Sequence, residues 1–206
     1  MYNPSAQAIF PTALGSTFEA NLNHTLLDVL PANVLVNGSS QFVAGQGTTD
    51  QIYALCYCRG DVSAQDCHDC VQAAAGTLLQ KCRPLKAGIA WCEECTLRYS
   101  SRPIFSLEEE VPSYRYYNFS SVLSKLDQYQ QEFDDTMNGL IRQAASGTAV
   151  GRLRGFATEE AELSQDKLTL RGLVQCSPDI VGNPCEMLEI SPQANGWMGY
   201  DCDLSS

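Results

Sequence analysis

Long apolar runs, basic charge and histidine are what this sequence has least of. No stretch approaches the roughly 18 consecutive apolar residues that a membrane-spanning helix needs, so no membrane span is predicted. Lysine and arginine number 13 against 24 acidic residues, and the net charge of −11 repels phosphate backbones, so nucleic acid is not an expected partner. His24 and His68 are the only histidines and lie in separate predicted helices, which disfavours a histidine-based catalytic or metal centre.

Motifs of enzymes and of targeting are equally scarce. The chain has no glycine-rich phosphate loop, and no set of residues assembles a nucleophile, a base and an oxyanion site. We therefore predict no enzymatic activity and no cofactor. The first residues show no basic segment followed by an apolar run, so no signal peptide is visible. A leader that has been removed or an incomplete gene model would explain its absence.

Cysteine is what the sequence has in excess. Ten cysteines in 206 residues, added to an ordinary apolar content, suggest an oxidising compartment and a secreted chain. Three N-glycosylation sequons, at Asn23, Asn37 and Asn118, give modest support to the same conclusion.

Hydrophobic periodicity predicts helices alternating with short strands. A capping box at Ser16 to Glu19 begins a first amphipathic helix that Pro31 is expected to end, and Ser63 begins a second that faces its cysteines inward. A longer helix covers Ser120 to Ala145. Strands are predicted near 41–44, 51–58, 89–91, 96–99, 155–158, 167–170 and 172–176. This order predicts an α+β fold with helices on one face of an antiparallel sheet.

The cysteine spacing reveals a tandem repeat. Cys58 to Cys176 and Cys67 to Cys185 are both offsets of 118 residues, whereas Cys95 to Cys202 is an offset of 107, so the second copy is shortened in its second helix. The charged, proline-terminated segment at 108–112 marks the boundary. The predicted organisation is a first domain at 1–106, a linker at 107–113 and a second domain at 114–206, with the tail around Cys202 as strand material of the second copy.

Three chemistries compete for the cysteines: disulfide staples, a zinc site and a redox pair. Cys67, Cys70, Cys92 and Cys95 form two C-x2-C pairs 21 residues apart, close to a four-cysteine zinc pattern. Against zinc, the first pair falls within a predicted helix, and the second copy keeps only the eight-residue spacing. A thioredoxin-like pair is disfavoured because no βαβ context surrounds it. The tripeptide from Arg59 to Asp61 best fits a turn that needs glycine.

Several motifs together resemble the plant stress-antifungal domain. These are the run from Tyr53 to Asp61, the C-x8-C-x2-C spacing from Cys58, the segment Cys95 to Ser100, and the stretch Val174 to Asp179, which resembles the second copy of tandem forms. The family includes ginkbilobin-type seed proteins, cysteine-rich receptor-like kinase ectodomains, cysteine-rich secretory proteins and plasmodesmata-located proteins. The resemblance implies two tandem domains, each with two helices on an antiparallel sheet of about five strands.

The resemblance also implies a disulfide pattern. Transferred position by position, it pairs Cys58 with Cys67, Cys70 with Cys95, and Cys176 with Cys185. The family's remaining bridge would join Cys82 to an N-terminal cysteine, but residues 1–20 contain none. Four cysteines are thus unassigned: Cys56, Cys82, Cys92 and Cys202. A bridge between Cys56 and Cys92 across neighbouring strands is one hypothesis.

The function that follows is a secreted, non-catalytic recognition module of the plant apoplast in stress or defence signalling. Its expected ligand is a protein ectodomain or a cell-wall carbohydrate, and a homo- or hetero-oligomer is left open. A second hypothesis is a mannose-binding antifungal lectin, but Ile89, Ser100 and Gly196 stand where the family's sugar-binding residues would be. A four-cysteine zinc protein is a third hypothesis, and a degenerate paralogue folded in one half only is a fourth.

Overall fold

Helices cover one face of an antiparallel sheet, the α+β arrangement that the sequence predicts. A computed structural model describes residues 15–83, 85–107, 126–146, 155–163, 168–180 and 198–201, with the backbone alone at 126–130, 163, 168–170 and 198–201. None of the helices within these ranges combines the length and the apolar run needed to cross a bilayer.

The first helical arm runs further than the sequence predicts. Helix α1 (Thr17–Asn23) begins at Ser16, whose hydroxyl accepts the amide of Glu19, and it continues through a π-helical segment (His24–Val29) into α2 (Leu30–Asn37). The prediction that Pro31 ends the helix is wrong. Pro31 lies in the first turn of α2, where its missing N–H costs little because the wider π segment precedes it. The arm ends at Gly38, which adopts φ 71°.

Four strands of the first sheet come from the first half of the chain. They are β1 (Ser39–Ala44), β2 (Ile52–Cys58), β3 (Ala87–Cys92) and β4 (Cys95–Ser100). Helix α3 (Ala64–Lys81) lies between β2 and β3 in the chain, with Ser63 as its N-cap and its buried face on the sheet. Alternate strand residues, such as Ala54, Ala90 and Leu97, face the helices and form the main core with them.

The fifth strand of this sheet comes from the C-terminal tail. The strand order is β1-β2-β4-β3-β7, and β7 (Met198–Asp201) pairs antiparallel with β3, with Asp201 opposite Ile89. The repeat predicts this tail among the strands of the second copy. The structure instead places it at the edge of the first sheet, where β3 offers backbone groups for pairing.

The described part of the second copy repeats the first half of the first. Helix α4 (Leu126–Ala145) packs on a two-stranded hairpin made of β5 (Phe156–Leu163) and β6 (Leu168–Gln175). Leu140 on α4 and Val174 on β6 are fully buried in this smaller core. The predicted helix start at 120–125 lies outside the described residues.

Candidate functional site: the stapled strand-to-helix turn

The turn between β2 and α3 is closed by a short disulfide. Cys58 ends β2 and Cys67 lies in the first turns of α3, and their sulfur atoms are bonded, with Cα atoms 5.6 Å apart. The amide of Cys58 also donates to the carbonyl of Gly38 at 2.9 Å. This corner therefore holds the end of the first helical arm, a central strand and the start of α3 together.

A second disulfide lies beside the first and fixes α3 to the sheet. Cys70, one turn further along α3, is bonded to Cys95 at the start of β4, with a Cα separation of 6.0 Å. Cys95 stands directly opposite Cys58 in the antiparallel register of β2 and β4. The two bridges are the pairs that the resemblance implies for the first copy.

The two disulfides contradict the metal and redox interpretations. The sulfurs of Cys70, Cys92 and Cys95 lie within 4.8 Å of one another, but Cys67, the fourth member of the zinc pattern, is bonded to Cys58. Because Cys70 and Cys95 share a disulfide, only one of the four sulfurs remains outside the bridges, too few for a four-thiolate zinc site. Cys67 and Cys70 are each bonded to a cysteine outside their own C-x2-C pair, so they do not form a redox pair.

The remaining cysteines among the described residues fall into two groups. Cys56 is a buried free thiol, and burial raises its pKa to about 12 despite the backbone hydrogen bond from Ser40. The hypothesised bridge from Cys56 to Cys92 is wrong, because β4 lies between their strands. Cys82 and Cys176 are both disulfide-bonded. Cys185 and Cys202 lie outside the described residues.

The Arg59-Gly60-Asp61 tripeptide forms the outer part of the stapled turn. The Arg59 Nε atom lies 2.6 Å from the carboxylate of Asp61, and a second guanidinium nitrogen donates to the carbonyl of Glu93 at 3.2 Å. Both charged side chains are thus directed to partners within the first copy. The sequence predicts that this turn needs glycine for its backbone conformation, but Gly60 is not among the described glycines that adopt a positive φ.

Gly60 is also where the second copy docks onto the first. Its amide donates to the side-chain oxygen of Gln175 at 3.0 Å, in a buried hydrogen bond across 115 residues of sequence. A Cβ atom at Gly60 would lie 2.7 Å from the side chain of Phe156, so only glycine fits this approach. Gln175 and Phe156 face each other across the β5–β6 hairpin. Sequence reasoning missed both, because a lone glutamine and a lone phenylalanine in strands carry no pattern.

A second docking contact joins the end of the first copy to the segment after β6. The amide of Ser106 donates to a carboxylate oxygen of Asp179 at 2.7 Å, and its hydroxyl donates to the Asp179 carbonyl at 2.9 Å. Ser106 adopts φ 55°, a left-handed conformation that these two bonds hold. The carboxylate of Asp179 also accepts from the hydroxyl of Ser177. Together with Gly60, this contact fixes the hairpin against the first copy.

Acidic side chains surround the outer side of the turn. Partial burial raises the pKa of Glu94, and the nearby carboxylates of Asp66, Glu93 and Asp61 raise it further, although Arg59 opposes them. This end of the first copy therefore has the negative potential that the overall charge predicts. A partner that approaches here needs a basic or neutral surface.

The positions that a mannose site would use are occupied by sheet packing. Ile89 is 2% exposed and Ser100 is 4% exposed. Ile89 pairs with Arg98 on one side and with Asp201 on the other. Neither side chain is available to a sugar hydroxyl. Gly196, the equivalent position in the second copy, lies outside the described residues.

The sequons differ in their surroundings. Asn37 is exposed in the last turn of α2, just before Gly38 turns the chain towards β1. Asn23 is half-buried, and its side-chain oxygen accepts a hydrogen bond from Arg83 at 2.7 Å. Asn118 lies outside the described residues.

Comparison with known proteins places this architecture in a plant family. Residues 5–102 match the family model described as salt stress response/antifungal. Cysteine-rich repeat secretory protein 1 of Arabidopsis thaliana is 34% identical in an alignment of 176 positions that covers 82% of this chain and 48% of that protein. Cysteine-rich repeat secretory protein 38 of the same plant is 32% identical over 171 residues, 83% of this chain and 65% of that protein. The chain thus spans about half to two thirds of these relatives.

A solved structure shows the same tandem fold. The tandem DUF26 ectodomain of the Arabidopsis thaliana cysteine-rich receptor-like protein PDLP8 superimposes with a TM-score of 0.66 at 20% identity, covering 84% of this chain and 75% of that one. The likeness confirms the predicted tandem α+β architecture.

Proposed function

Because the chain belongs to the salt stress response/antifungal family of cysteine-rich plant proteins, we propose that it is a secreted, non-catalytic recognition module of the apoplast. Its ligand is the ectodomain of another protein, and its role lies in stress or defence signalling. The relatives are named as secretory proteins, which supports the extracellular assignment.

The burial of Ile89 and Ser100 is the observation that favours a protein ligand over mannose. Both side chains lie in the sheet and are almost completely inaccessible. A lectin site needs several polar groups that converge on a sugar from an open surface. At these positions the chain offers a closed sheet instead.

The docking of the two copies supports recognition by a rigid surface. Gly60 bonds to Gln175, and Ser106 bonds to Asp179, so both copies present their surfaces in a fixed arrangement. A preorganised surface loses less conformational entropy when a partner binds. Because the stapled turn is acidic, electrostatic attraction to a basic partner would add to the association rate.

Binding to a panel of immobilised plant receptor ectodomains, with a mannose matrix as the competing arm, tests this proposal. We expect saturable binding to at least one ectodomain, weaker at high salt because salt screens the acidic surface. The matched control is the same chain after reduction and alkylation, which should not bind. Specific retention on mannose with no ectodomain binding would overturn the proposal.

We further propose that Asn37 carries an N-linked glycan and that Asn23 does not. Asn37 is exposed at a helix end, whereas the Asn23 side chain is engaged by Arg83. The test is the intact mass of the chain secreted from plant cells. The mass of Asn37→Gln should be lower by one glycan. The mass of Asn23→Gln should differ from that of the unsubstituted chain only by the amino-acid substitution. The reverse result would contradict this assignment.

A further inference from the structure

A thiol lies beside the disulfide that fixes α3 to the sheet. The Sγ atom of Cys92 lies within 4.8 Å of both sulfurs of the Cys70–Cys95 bridge, and Cys92 itself is not in a disulfide. A thiol and a disulfide held this close are the two reactants of thiol–disulfide exchange. Within the part of the chain that the structure describes, the Cys58–Cys67 bridge belongs to no such group of three sulfurs.

Cys92 and Cys95 face each other at the end of the β3–β4 hairpin. Cys92 ends β3 and Cys95 begins β4, and the two residues 93–94 join them. The pair before them in the register is Trp91 with Thr96, and both cysteines belong to the helix-facing core. Opposite residues of an antiparallel pair have Cα atoms about 4.5–5.5 Å apart, within the range of about 4.4–6.8 Å that a disulfide spans. A bond between Cys92 and Cys95 therefore fits the hairpin without a change in strand pairing.

The burial of the two bonded sulfurs favours Cys70 as the leaving group. The leaving sulfur departs as a thiolate, and this charge is more stable where water reaches it. Cys70 is half-buried, whereas Cys95 is only 2% exposed. Attack of Cys92 on Cys95 thus releases the thiolate at the more exposed of the two positions.

We propose that Cys92 exchanges with the Cys70–Cys95 bridge, so that the chain has two disulfide isomers. The Cys92 thiol gives up its proton, and its sulfur bonds to the Cys95 sulfur as the bond to Cys70 breaks. Cys70 leaves with the electron pair and takes up a proton. One disulfide and one thiol are present before and after the step, so no oxidant or reductant is consumed. The exchange replaces a link between α3 and the sheet by a link within the hairpin, and it leaves a half-exposed thiol on α3.

Alkylation of the folded protein tests the exchange, because it traps the thiol that is released. The secreted chain is kept with N-ethylmaleimide under native conditions for about a day, longer than the minutes to hours of uncatalysed disulfide rearrangement. Samples taken at intervals, starting with one denatured in the reagent at time zero, are digested with trypsin without reduction. The disulfide-linked peptides and the position of each maleimide are then identified by mass spectrometry.

The two isomers give different tryptic peptides. In the isomer of the structure, peptide 87–98 is linked to peptide 60–81 through Cys95 and Cys70. We expect this linked form to decrease with time, while 87–98 appears alone with an internal bridge and 60–81 carries a maleimide on Cys70. Retention of 87–98 in the linked form, with the maleimide on Cys92 or Cys95, would overturn the proposal.

Two substitutions isolate the role of Cys92. In Cys92→Ser, peptide 87–98 should stay linked to 60–81 at all times, and its release would show that the bridge opens without Cys92. In Cys70→Ser, a disulfide oxidant of the secretory pathway should join Cys92 to Cys95, so that 87–98 carries an internal bridge. Two maleimides on 87–98 in this variant would show that the hairpin does not accept the bond, which would also overturn the proposal. If either variant is not secreted, the time course of the unsubstituted chain still decides.

Discussion

The two copies share one corner and differ in how that corner is completed. In the first copy the amide of Cys58 donates to Gly38 at 2.9 Å, and in the second the amide of Cys176 donates to Gly155 at 2.8 Å. Both glycines adopt a left-handed backbone, with φ 71° and 82°. The strand after each glycine leads into a hairpin, whose second strand ends at Cys58 in the first copy and one residue before Cys176 in the second. The corner is thus the unit that the repeat preserves.

The two corners pack against different elements. In the first copy α3 crosses the sheet next to the corner and is held there by two disulfides. In the second copy α4 covers one side of the hairpin, while the side that carries Phe156 and Gln175 packs on the first copy's turn. The second hairpin therefore uses the first copy as part of its packing surface. We expect the two copies to unfold together.

The largest expected effect on stability comes from truncating one buried leucine in each core, and it tests this coupling. Leu78 on α3 and Leu140 on α4 are both 0% exposed. Leu78→Ala and Leu140→Ala should each lower the free energy of unfolding by about 2–5 kcal/mol. Because the copies are docked, both variants should shift a single calorimetric transition.

The control for this pair is Val36→Ala, since Val36 is 76% exposed and its truncation should change stability by less than about 0.5 kcal/mol. Two transitions, of which each leucine variant moves only one, would mean that the copies unfold independently.

The two disulfides of the first copy should differ in their contributions to stability. Cys70 and Cys95 close a segment of 25 residues, whereas Cys58 and Cys67 close one of 9. From loop-closure entropy, the double variant Cys70→Ser/Cys95→Ser should lose about 3–4 kcal/mol and Cys58→Ser/Cys67→Ser about 2–3 kcal/mol. Urea denaturation of the two double variants compares them. A larger loss from the shorter bridge would mean that the stapled turn contributes more than chain entropy.

The contact between the two copies at Gly60 is tested by removing the side-chain oxygen of Gln175, which accepts the hydrogen bond from the Gly60 amide. Gln175→Ala leaves a buried N–H without its partner and should cost about 1–3 kcal/mol. Gln72→Ala on the exposed side of α3 is the matched control and should be nearly neutral. Hydrogen exchange should also become faster at Gly60 in the first variant alone. Equal stability of the two variants would contradict the importance of this bond.

The smallest effect at neutral pH, where the thiol keeps its proton in both states, concerns Cys56, which has no counterpart in the second copy's corner. Burial raises its pKa to about 12 in the folded chain, while an exposed thiol titrates near 9. Between these values the unfolded chain has lost a proton that the folded chain keeps, so stability falls as pH rises, by about 1.4 kcal/mol per pH unit. Cys56→Ala removes this dependence.

Urea titrations of both proteins at several pH values above 9 provide the measurement. The free energy of unfolding of Cys56→Ala, relative to that of the unsubstituted chain, should rise with pH in this interval. A difference that stays constant with pH would contradict the prediction, because it would mean that the thiolate forms equally well in the folded state. Burial also raises the pKa of Tyr99, but this group is common to both proteins and cancels.

Local features of the fold could be predicted from the sequence, and contacts between the copies could not. Ser16 and Ser63 are predicted N-caps because a capping serine has a local signature, and the structure shows both hydroxyls accepting the expected amides. The bridges at the stapled turn follow from a family resemblance. Gln175, Phe156 and Asp179 act across more than 70 residues of sequence, and such pairings leave no periodicity to detect.

The tail strand shows a different limit. Its sequence resembles the end of the first copy's own sheet, and the repeat therefore suggests a place in the second copy. A strand can pair with any open edge of suitable register, and the sequence does not say which edge is nearest in space. The structure places it beside β3.

The π-helical segment of the first arm solves a problem of helical phase. The arm's five core residues, Phe18, Leu22, Leu26, Leu30 and Val34, follow one another at four-residue steps and are all at most 3% exposed. In a regular α-helix a four-residue step overshoots one turn by about 40°, so the first and last of them would point about 160° apart. The wider π turn at His24–Val29 compensates for this drift and keeps the five on one side. Deleting one residue from this segment would let the arm continue as a regular α-helix and still keep Leu30 and Val34 on the core side, because the deletion removes about 100° of the drift.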